Sequence, residues 1–294
     1  MGVKRLGIVG LGLLGTALAE RFAASGYSLL GYDLDPAARD RLKEIGGQPV
    51  RSSREVAMGC SRIVLCLPNA DVVKNVIAEM LPVAWSSTIL IDTSTGLPEK
   101  MVGLAEMVSS QNIGYLDATI GGSSAQVREK DVIVIAGGDR KAFDDCAEIF
   151  DCFARETFHV GPCGTGAQAK LAVNMVLGLN RAALAEGLKF AESLGLDPDE
   201  MLKILRASPA YSTVMDTKGQ KMLTGDFTPQ AKLSQHLKDV RLMLHIGVKH
   251  GAKLAVTQMH KRILKKAEVD GYGDEDNSAV IKVYEPSPDE KKKK

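Results

Sequence analysis

The sequence has no excess of charge of either sign. Its 294 residues include 37 Lys plus Arg and 36 Asp plus Glu, so the formal net charge is close to zero. It also has no run of about twenty apolar residues, the length that a membrane-spanning helix needs. Nucleic acid and anionic membranes, which basic proteins bind through charge, are therefore not expected as partners. A small-molecule partner is favoured.

Cysteine and histidine are few and unpaired. The five cysteines are an odd number and none stands in a CxxC pair, which argues against a disulfide framework and against a zinc site. The five histidines form no HExxH motif and no pair at i and i+4, so no metal site is expected. Reduced thiols are typical of the cytosol, and we expect a cytoplasmic protein.

The first twenty residues imitate a secretion signal. Lys4 and Arg5 precede the apolar stretch 6–19, which ends in Ala-Leu-Ala. Glycines at positions 7, 10, 12 and 15 would weaken a signal helix, whereas their spacing suits a strand followed by a tight turn. We therefore interpret this segment as the start of a folded domain.

The hydrophobic pattern divides the chain in two. From residue 4 to about 160, short apolar runs alternate with longer amphipathic ones, which predicts an α/β Rossmann-type domain with a parallel sheet covered on both faces. After residue 165 only long amphipathic stretches remain, which predicts an all-α domain. We place the cofactor domain at 1–162, the helical domain at 163–284 and a disordered tail at 285–294. The expected long helices cover 165–194, 198–207, 229–249 and 251–268.

A glycine-rich turn follows the first predicted strand. Residues 10–15 read G-x-G-x-x-G and open a helix, as a dinucleotide fingerprint requires. The predicted cofactor contacts here are Gly10, Gly12, Leu13, Leu14 and Gly15.

An acidic residue ends the second predicted strand. Asp33 stands 18 residues past Gly15, near the spacing expected of the acid that binds the ribose hydroxyls. It would repel a 2′-phosphate, and Leu34 and Asp35 occupy the place of the Arg-Ser or Arg-Thr pair that usually receives one. NAD is therefore expected as the cofactor, and NADP is disfavoured; a solvated turn residue is the alternative interpretation of Asp33.

Two further strands end in LCLPNAD and IDTSTG. Ligands of such sheets bind outside the carboxyl ends of the strands, so Leu67, Pro68 and Thr95 are candidate walls of the nicotinamide site. Alternatively, Ser94 and Thr95 could simply cap the next helix.

Lys170 and Asn174 lie at i and i+4 near the start of the first long helix. This spacing places an amine and an amide on one helix face, where they could hold a substrate oxygen. The alternative is a lysine whose ammonium group simply reaches solvent from a surface helix.

Five motifs together resemble a known family. They are GIVGLGLLGTALA, IDTSTGLP, GPCGTGAQAKLAVN, HLKDVRLML and GYGDEDNSAVIKV, in this order. They resemble the β-hydroxyacid dehydrogenases, the family of 3-hydroxyisobutyrate dehydrogenase and of glyoxylate and succinic semialdehyde reductases. The resemblance implies an NAD(P)-dependent oxidoreductase that interconverts a small β- or γ-hydroxyacid, or a hydroxysulfonate, and its aldehyde or ketone. A homodimer or homotetramer is also expected.

The resemblance also implies roles for single residues. Lys170 would be the catalytic acid/base and Asn174 would orient the substrate. Lys238 would reach the cofactor, and Asp239 would support that contact and the substrate. A lysine with an ordinary pKa of about 10.4 is already an acid for carbonyl reduction at pH 7. To act as a base near pH 8 its pKa must be lowered by about 2, which corresponds to about 2.7 kcal/mol.

The chain departs from the family pattern at two places. The usual Asn-Asn pair is Val173-Asn174, so one amide is lost. The usual Asp-Ala-Pro-Val-Ser-Gly-Gly loop reads Asp-Ala-Thr-Ile-Gly-Gly-Ser at 117–123, so a glycine replaces the substrate-binding serine. A relative acting on sulfolactaldehyde has Gly-Arg-Thr there, which motivates the hydroxysulfonate. We predict the amides of Gly121 and Gly122 and the hydroxyl of Ser123 as substrate donors; a plain turn is the alternative.

Two other functions fit the same architecture. Imine reductases share it but lack a lysine at the position of Lys170. A non-catalytic NAD-binding scaffold would have lost the lysine, whereas Lys170, Asn174 and Lys238 are all present here.

Overall fold

The computed structural model describes residues 4–284. The chain divides into two compact units between Lys170 and Leu171. The tail expected at 285–294 lies outside the described residues. Within residues 4–284 no helix combines the length and the apolar character needed to cross a bilayer.

The first unit is built on an eight-stranded sheet with strand order β3-β2-β1-β4-β5-β6-β7-β8. The strands are β1 Arg5–Val9, β2 Ser28–Tyr32, β3 Gln48–Pro49, β4 Arg62–Leu65, β5 Ile89–Asp92, β6 Gly114–Gly121, β7 Ile133–Gly138 and β8 Glu156–Gly161.

The prediction of a parallel sheet is wrong for one pair of strands. All neighbours pair in parallel except β6 and β7, which run antiparallel. Their connection holds only a five-residue helix, and a short connection can reverse the chain but cannot carry it back for a parallel crossover. The carboxyl ends of β1, β2, β4, β5 and β6 therefore share one edge of the sheet.

Helices cover both faces of this sheet, as predicted. They are α1 Leu13–Ala24, α2 Pro36–Glu44, α3 Ser53–Gly59, α4 Ala70–Met80, α5 Pro98–Ser109, α6 Ser124–Arg128, α7 Arg140–Asp144 and α8 Ala147–Phe150. One core joins buried side chains of α1, α2, α6, α7 and α8 to the sheet, and the other joins those of α3, α4 and α5. Burial of both faces explains why β1, β4 and β5 are almost wholly apolar.

The second unit is helical, as predicted. The long helix α9, Thr165–Ser193, begins in the first unit and continues into the second. It is followed by α10 Pro198–Ala207, a π-helical turn Met215–Gly219, α11 Gln220–Thr224, α12 Leu233–Lys249, α13 Ala255–Ala267, a π-helical turn Glu268–Tyr272 and a 3₁₀ segment Asn277–Tyr284. The core of the unit is a cluster of Leu, Val, Ile, Ala and Met side chains.

Helix α12 begins at Leu233 and not at the predicted residue 229, and a buried carboxylate binds the segment before it. Asp276 is fully buried and accepts hydrogen bonds from the amides of Gln230 (2.9 Å) and Ala231 (3.2 Å). It also pairs with the ammonium group of Lys218 at 2.9 Å. An isolated antiparallel bridge also joins Lys232 to Asp276, and the backbone at Lys232 is extended, so the segment just before Leu233 pairs with residue 276 and is not helical.

Candidate active site

The backbone of the glycine-rich turn requires glycine at positions 10 and 15 but has room for a side chain at Gly12. Gly10 has a φ of +92°, and a Cβ there would clash with the carbonyl oxygen of Cys66. A Cβ at Gly15 would clash with the carbonyl oxygen of Gly10. A Cβ at Gly12 would meet nothing within 4 Å, and no side chain caps α1 there. The exposed backbone at Gly12 therefore fits a ligand that must approach closely, as a pyrophosphate does at a helix N-terminus.

Asp33 is fixed against this turn. Its Oδ2 accepts a hydrogen bond of 2.6 Å from the amide of Leu11, and its Oδ1 accepts one of 2.8 Å from the amide of Asp35. Two carboxylate oxygens offer about four acceptor positions, so positions remain for two ribose hydroxyls. Two backbone amides thus fix the carboxylate of Asp33 just after β2, so this side chain does not simply extend into solvent.

The predicted site lacks two residues beside Asp33, namely Arg39 and Leu34. The guanidinium group of Arg39 donates to the carbonyl oxygens of Asp33 (2.6 Å) and Leu34 (3.2 Å) and so stiffens the loop after β2. Leu13 and Leu34 are each 83% exposed and follow the neighbouring strands β1 and β2. Two exposed apolar side chains at one edge of a sheet offer a surface for the flat face of a base.

The loops after β4 and β5 are joined to each other. The amide of Leu67 donates to Oγ of Ser94 over 3.0 Å, while Pro68 and Thr95 are exposed beside this contact. The alternative in which Ser94 or Thr95 caps the next helix is wrong, because α5 begins after Leu97 and has no side-chain cap. Ser94 connects two loops instead.

Asp92 and Asp117 are buried carboxylates at matching positions of β5 and β6. Their Cα atoms are partners in the strand register, and both side chains are 0% exposed. Burial raises the pKa of Asp92 to about 6, opposed by hydrogen bonds from Ser94 and Tyr115. Burial likewise raises the pKa of Asp117 above its usual value. Neither residue belongs to the predicted site, since no local pattern marks the partner of a buried acid.

Asp117 anchors the start of α9. Its Oδ1 accepts from the amide of Gly164 (3.0 Å) and its Oδ2 from the amide of Ala167 (2.8 Å). A side chain at Gly166 would clash with the carbonyl oxygen of Asp117. Lys170 follows Ala167 by one turn of the helix, so the position of its backbone is set by this buried carboxylate.

Lys170 and Asn174 lie one turn apart on α9, about 6 Å along the helix axis. Both side chains are half-buried. The helix therefore presents the amine and the amide on one face, as the spacing predicts.

The segment 117–126 is part strand and part helix cap. Residues 117–121 belong to β6. Ser123 caps α6: its Oγ accepts from the amide of Gln126 (3.3 Å), whose side-chain oxygen accepts from the amide of Ser123 (3.1 Å). This capping box could have been found in the spacing Ser-x-x-Gln. Gly121 and Gly122, whose amides are predicted substrate donors, connect the strand to the cap.

Lys238 and Asp239 lie on α12 in the second unit. Lys238 is exposed and Asp239 is half-buried. The side-chain amide of Gln235, one turn earlier, approaches Asp239 at 3.5 Å. The two residues follow each other directly on one helix.

The thiols fit a structural role. All five cysteines are free. Cys163, just before α9, donates to the carbonyl oxygen of Met101 at 3.3 Å, and burial raises its pKa to about 12. A nucleophilic thiol needs a lowered pKa. Among residues 4–284 no group of three or more His, Cys, Asp or Glu side chains is placed to hold a metal ion.

Two family models together match nearly the whole chain. One, described as the NAD binding domain of 6-phosphogluconate dehydrogenase, matches residues 5–161. The other, described as NAD-binding of NADP-dependent 3-hydroxyisobutyrate dehydrogenase, matches residues 164–284.

Relatives and solved structures agree with this match. The chain is 29% identical to 2-(hydroxymethyl)glutarate dehydrogenase of Eubacterium barkeri, over 96% of this chain and 95% of that protein. It is 29% identical to glyoxylate/succinic semialdehyde reductase 1 of Arabidopsis thaliana, over 82% and 85%. The crystal structure of 3-hydroxyisobutyrate dehydrogenase from Salmonella typhimurium is 26% identical, with a TM-score of 0.86 over 95% and 99%.

A second group of relatives is titled cytokine-like nuclear factor N-PAC. The Homo sapiens protein is 27% identical over 96% of this chain, which spans only 51% of that protein. The chain thus spans about half the length of these larger relatives.

Proposed function

The chain belongs to the β-hydroxyacid dehydrogenase family and is an NAD(P)-dependent oxidoreductase. From this premise we propose that it interconverts a small β- or γ-hydroxyacid and the corresponding aldehyde or ketone, with Lys170 as general acid/base. The observation that carries the proposal is the face of α9 that bears Lys170 and Asn174, on a helix whose start is anchored by Asp117.

The residues of the first unit would hold the dinucleotide. The turn 10–15 receives the pyrophosphate at Gly12, the carboxylate of Asp33 accepts the ribose hydroxyls, and Leu67, Pro68 and Thr95 border the nicotinamide. The anionic Asp33 disfavours a 2′-phosphate, so NAD is the expected cofactor. When bound, the nicotinamide supplies or accepts the hydride. Lys238, on α12, would reach the cofactor, and Asp239 would support that contact and the substrate.

Lys170 moves the proton that accompanies the hydride. In reduction its ammonium group donates a proton to the carbonyl oxygen, and in oxidation the neutral amine accepts the hydroxyl proton. Asn174 lies one turn later on α9. The N–H of its side-chain amide donates a hydrogen bond to the same substrate oxygen and so orients the substrate. The two groups therefore act on one substrate atom from one helix face.

The substrate is expected to be acidic. Two relatives are named for 2-(hydroxymethyl)glutarate and for glyoxylate and succinic semialdehyde, and each of these compounds carries a carboxylate group. In this chain the amides of Gly121 and Gly122 and the hydroxyl of Ser123 are the proposed donors to the acid group. Gly121 replaces the usual serine, and the hydroxyl of Ser123 also donates to the side-chain oxygen of Gln126 over 3.2 Å. Because this donor set differs from the one that the family uses for a carboxylate, a hydroxysulfonate is the second candidate substrate.

Removal of the Lys170 amine tests the proposal. NADH oxidation is followed against a panel of C3 to C5 semialdehydes and sulfonate analogues. Lys170→Met should lower kcat by at least about 100-fold with NADH affinity unchanged, because proton transfer contributes about 10² to 10⁴. Lys189→Met, which changes another lysine of α9, is the matched control and should retain activity. Full activity of Lys170→Met would refute the assignment.

The second candidate is a non-catalytic NAD(P)-binding protein of the same fold. It is favoured by the relatives titled cytokine-like nuclear factor rather than dehydrogenase. The same panel separates the two: tight NADH binding without turnover of any substrate would favour this candidate, and turnover that depends on Lys170 would exclude it.

A further inference from the structure

Asp92 is a buried acid that the proposed reaction does not use. It ends β5, and its side chain is 0% exposed. Removing an ionised carboxylate from water costs free energy unless hydrogen bonds compensate for the lost solvation. Asp92 has such bonds: the hydroxyl of Tyr115 donates to its Oδ2 over 2.5 Å and the amide of Ser94 donates to its Oδ1 over 2.8 Å.

Ser94 continues this network to the neighbouring loop. Its Oγ accepts the hydrogen bond from the amide of Leu67 over 3.0 Å. A serine hydroxyl can rotate among several partners, but the carboxylate of Asp92 interacts with both the side chain and the amide of Ser94 and so restricts that choice. Tyr115, Asp92, Ser94 and Leu67 thus form one chain of hydrogen bonds from the buried sheet to an exposed loop.

The bases of the two loops are joined independently of Asp92. The amide of Thr93 donates to the carbonyl oxygen of Leu65 over 2.9 Å, and the Thr93 hydroxyl donates to the same oxygen over 2.8 Å. The thiol of Cys66 contacts that hydroxyl at 3.0 Å. Loss of the Ser94 contact would therefore free the outer part of the loops, at Leu67 and beyond, without separating the strands.

We propose that Asp92 is a positioning residue: held by Tyr115, it orients Ser94, and Ser94 holds the Leu67 amide so that the loops after β4 and β5 keep one arrangement. The inference rests on the proposed function, in which Leu67, Pro68 and Thr95 border the nicotinamide. A small displacement of these walls would misalign the nicotinamide with the substrate, whereas the pyrophosphate and ribose contacts near Gly12 and Asp33 would remain.

The experiment compares Asp92→Ala, Ser94→Ala and the double variant. Single-turnover hydride transfer from NADH should slow about tenfold in each single variant, while the Kd of NADH changes less than about threefold. The double variant should be no slower than the slower single one, because residues that act through one contact are not additive. Ser94→Thr, which retains the hydroxyl, should restore most of the rate.

Amide hydrogen exchange gives a measurement independent of turnover. The amide of Leu67 should exchange faster in Asp92→Ala and in Ser94→Ala. Asp139→Ala, which removes the exposed cap of α7, lowers stability elsewhere and should leave Leu67 unchanged. Unchanged exchange at Leu67 in Ser94→Ala, or fully additive rate losses in the double variant, would overturn the inference. If the unmodified protein reduces no aldehyde, the proposed function fails, while the exchange measurement still tests the network.

Discussion

Asp117 and Ala167 are joined by a hydrogen bond of 2.8 Å from the amide of Ala167 to the carboxylate of Asp117. Asp117 is fully buried in β6, and Ala167 lies in the first turn of α9. With the second bond, from Gly164, the carboxylate accepts two amides at the start of the helix. The sheet therefore determines where α9 begins, and Lys170 follows one turn later.

Asp117→Ala should destabilise the first unit. Two buried amides lose their acceptor, at about 1–3 kcal/mol each, so we expect a loss of about 2–6 kcal/mol in the free energy of unfolding, measured with urea. Asp139→Ala removes a more exposed cap and should cost about 1 kcal/mol. Equal losses in the two variants would show that Asp117 does no more than an ordinary cap.

Two glycine substitutions separate cofactor binding from folding. Gly12→Ala should leave stability nearly unchanged, since a Cβ there meets nothing within 4 Å, but should weaken NADH binding about tenfold by obstructing the pyrophosphate. Gly15→Ala should instead destabilise the fold, because its Cβ clashes with the carbonyl oxygen of Gly10. NADH fluorescence titration and thermal melts of both variants test this. Wild-type NADH affinity in Gly12→Ala would contradict the cofactor site.

Asp33 should decide the choice between NADH and NADPH. Asp33→Ser removes a negative charge that would face a 2′-phosphate, so kcat/KM for NADPH should rise relative to NADH by about tenfold or more. Asp35→Asn alters a nearby acid that caps α2 and should leave the ratio as it is. Steady-state rates with both cofactors provide the measurement, and an unchanged ratio in Asp33→Ser would remove the basis for preferring NAD.

Alcohol oxidation should be faster at alkaline pH. The base form of a lysine increases as pH rises towards its ordinary pKa of about 10.4, so the oxidation rate should increase between pH 7 and pH 9. The reverse reduction needs the ammonium form and should not show this increase. Initial rates in both directions across this range test the assignment; an oxidation rate that is flat from pH 6 to pH 10 would argue against Lys170 as the base.

The second unit should lose stability in mild acid. His236 and His260 are buried with ring centroids 5.2 Å apart, and Arg181 is buried near both. Burial, followed by the charge of Arg181, lowers the pKa of His236 to about 3 and that of His260 to about 4. Both values lie below the ordinary pKa of about 6.5, so the unfolded chain takes up protons first and stability falls as pH decreases from about 6.5 to 4.

The free energy of unfolding should therefore decrease by about 1.4 kcal/mol per pH unit for each histidine in that range. The double variant His236→Asn, His260→Asn removes both titrating groups and should lose most of this slope, whatever its stability at pH 7. Urea unfolding at several pH values measures the slope. The same slope in the double variant would mean that other groups cause the acid sensitivity.

The sequence predicts those parts of the site that depend on neighbouring residues. The turn 10–15, Asp33 and the pair Lys170 and Asn174 each lie within one strand, turn or helix, where spacing along the chain sets geometry. The same local logic predicts most of the helices and the buried strands β1, β4 and β5. It misses β6 to β8 as separate strands, and it misses the capping box in which Oγ of Ser123 accepts from the amide of Gln126.

Tertiary structure alone decides the roles of Asp92 and Asp117. Asp117 accepts from amides 47 and 50 residues further along the chain, and the hydroxyl that reaches Asp92 belongs to Tyr115, 23 residues away. A carboxylate in a sequence has no marked partner; only the register of β5 with β6 and the start of α9 bring donors to it. What the sequence determines by itself is which candidate groups share one turn, strand or helix, because short-range spacing controls their order there. Where those groups are held depends on long-range burial and hydrogen bonding, which exist only in the folded chain.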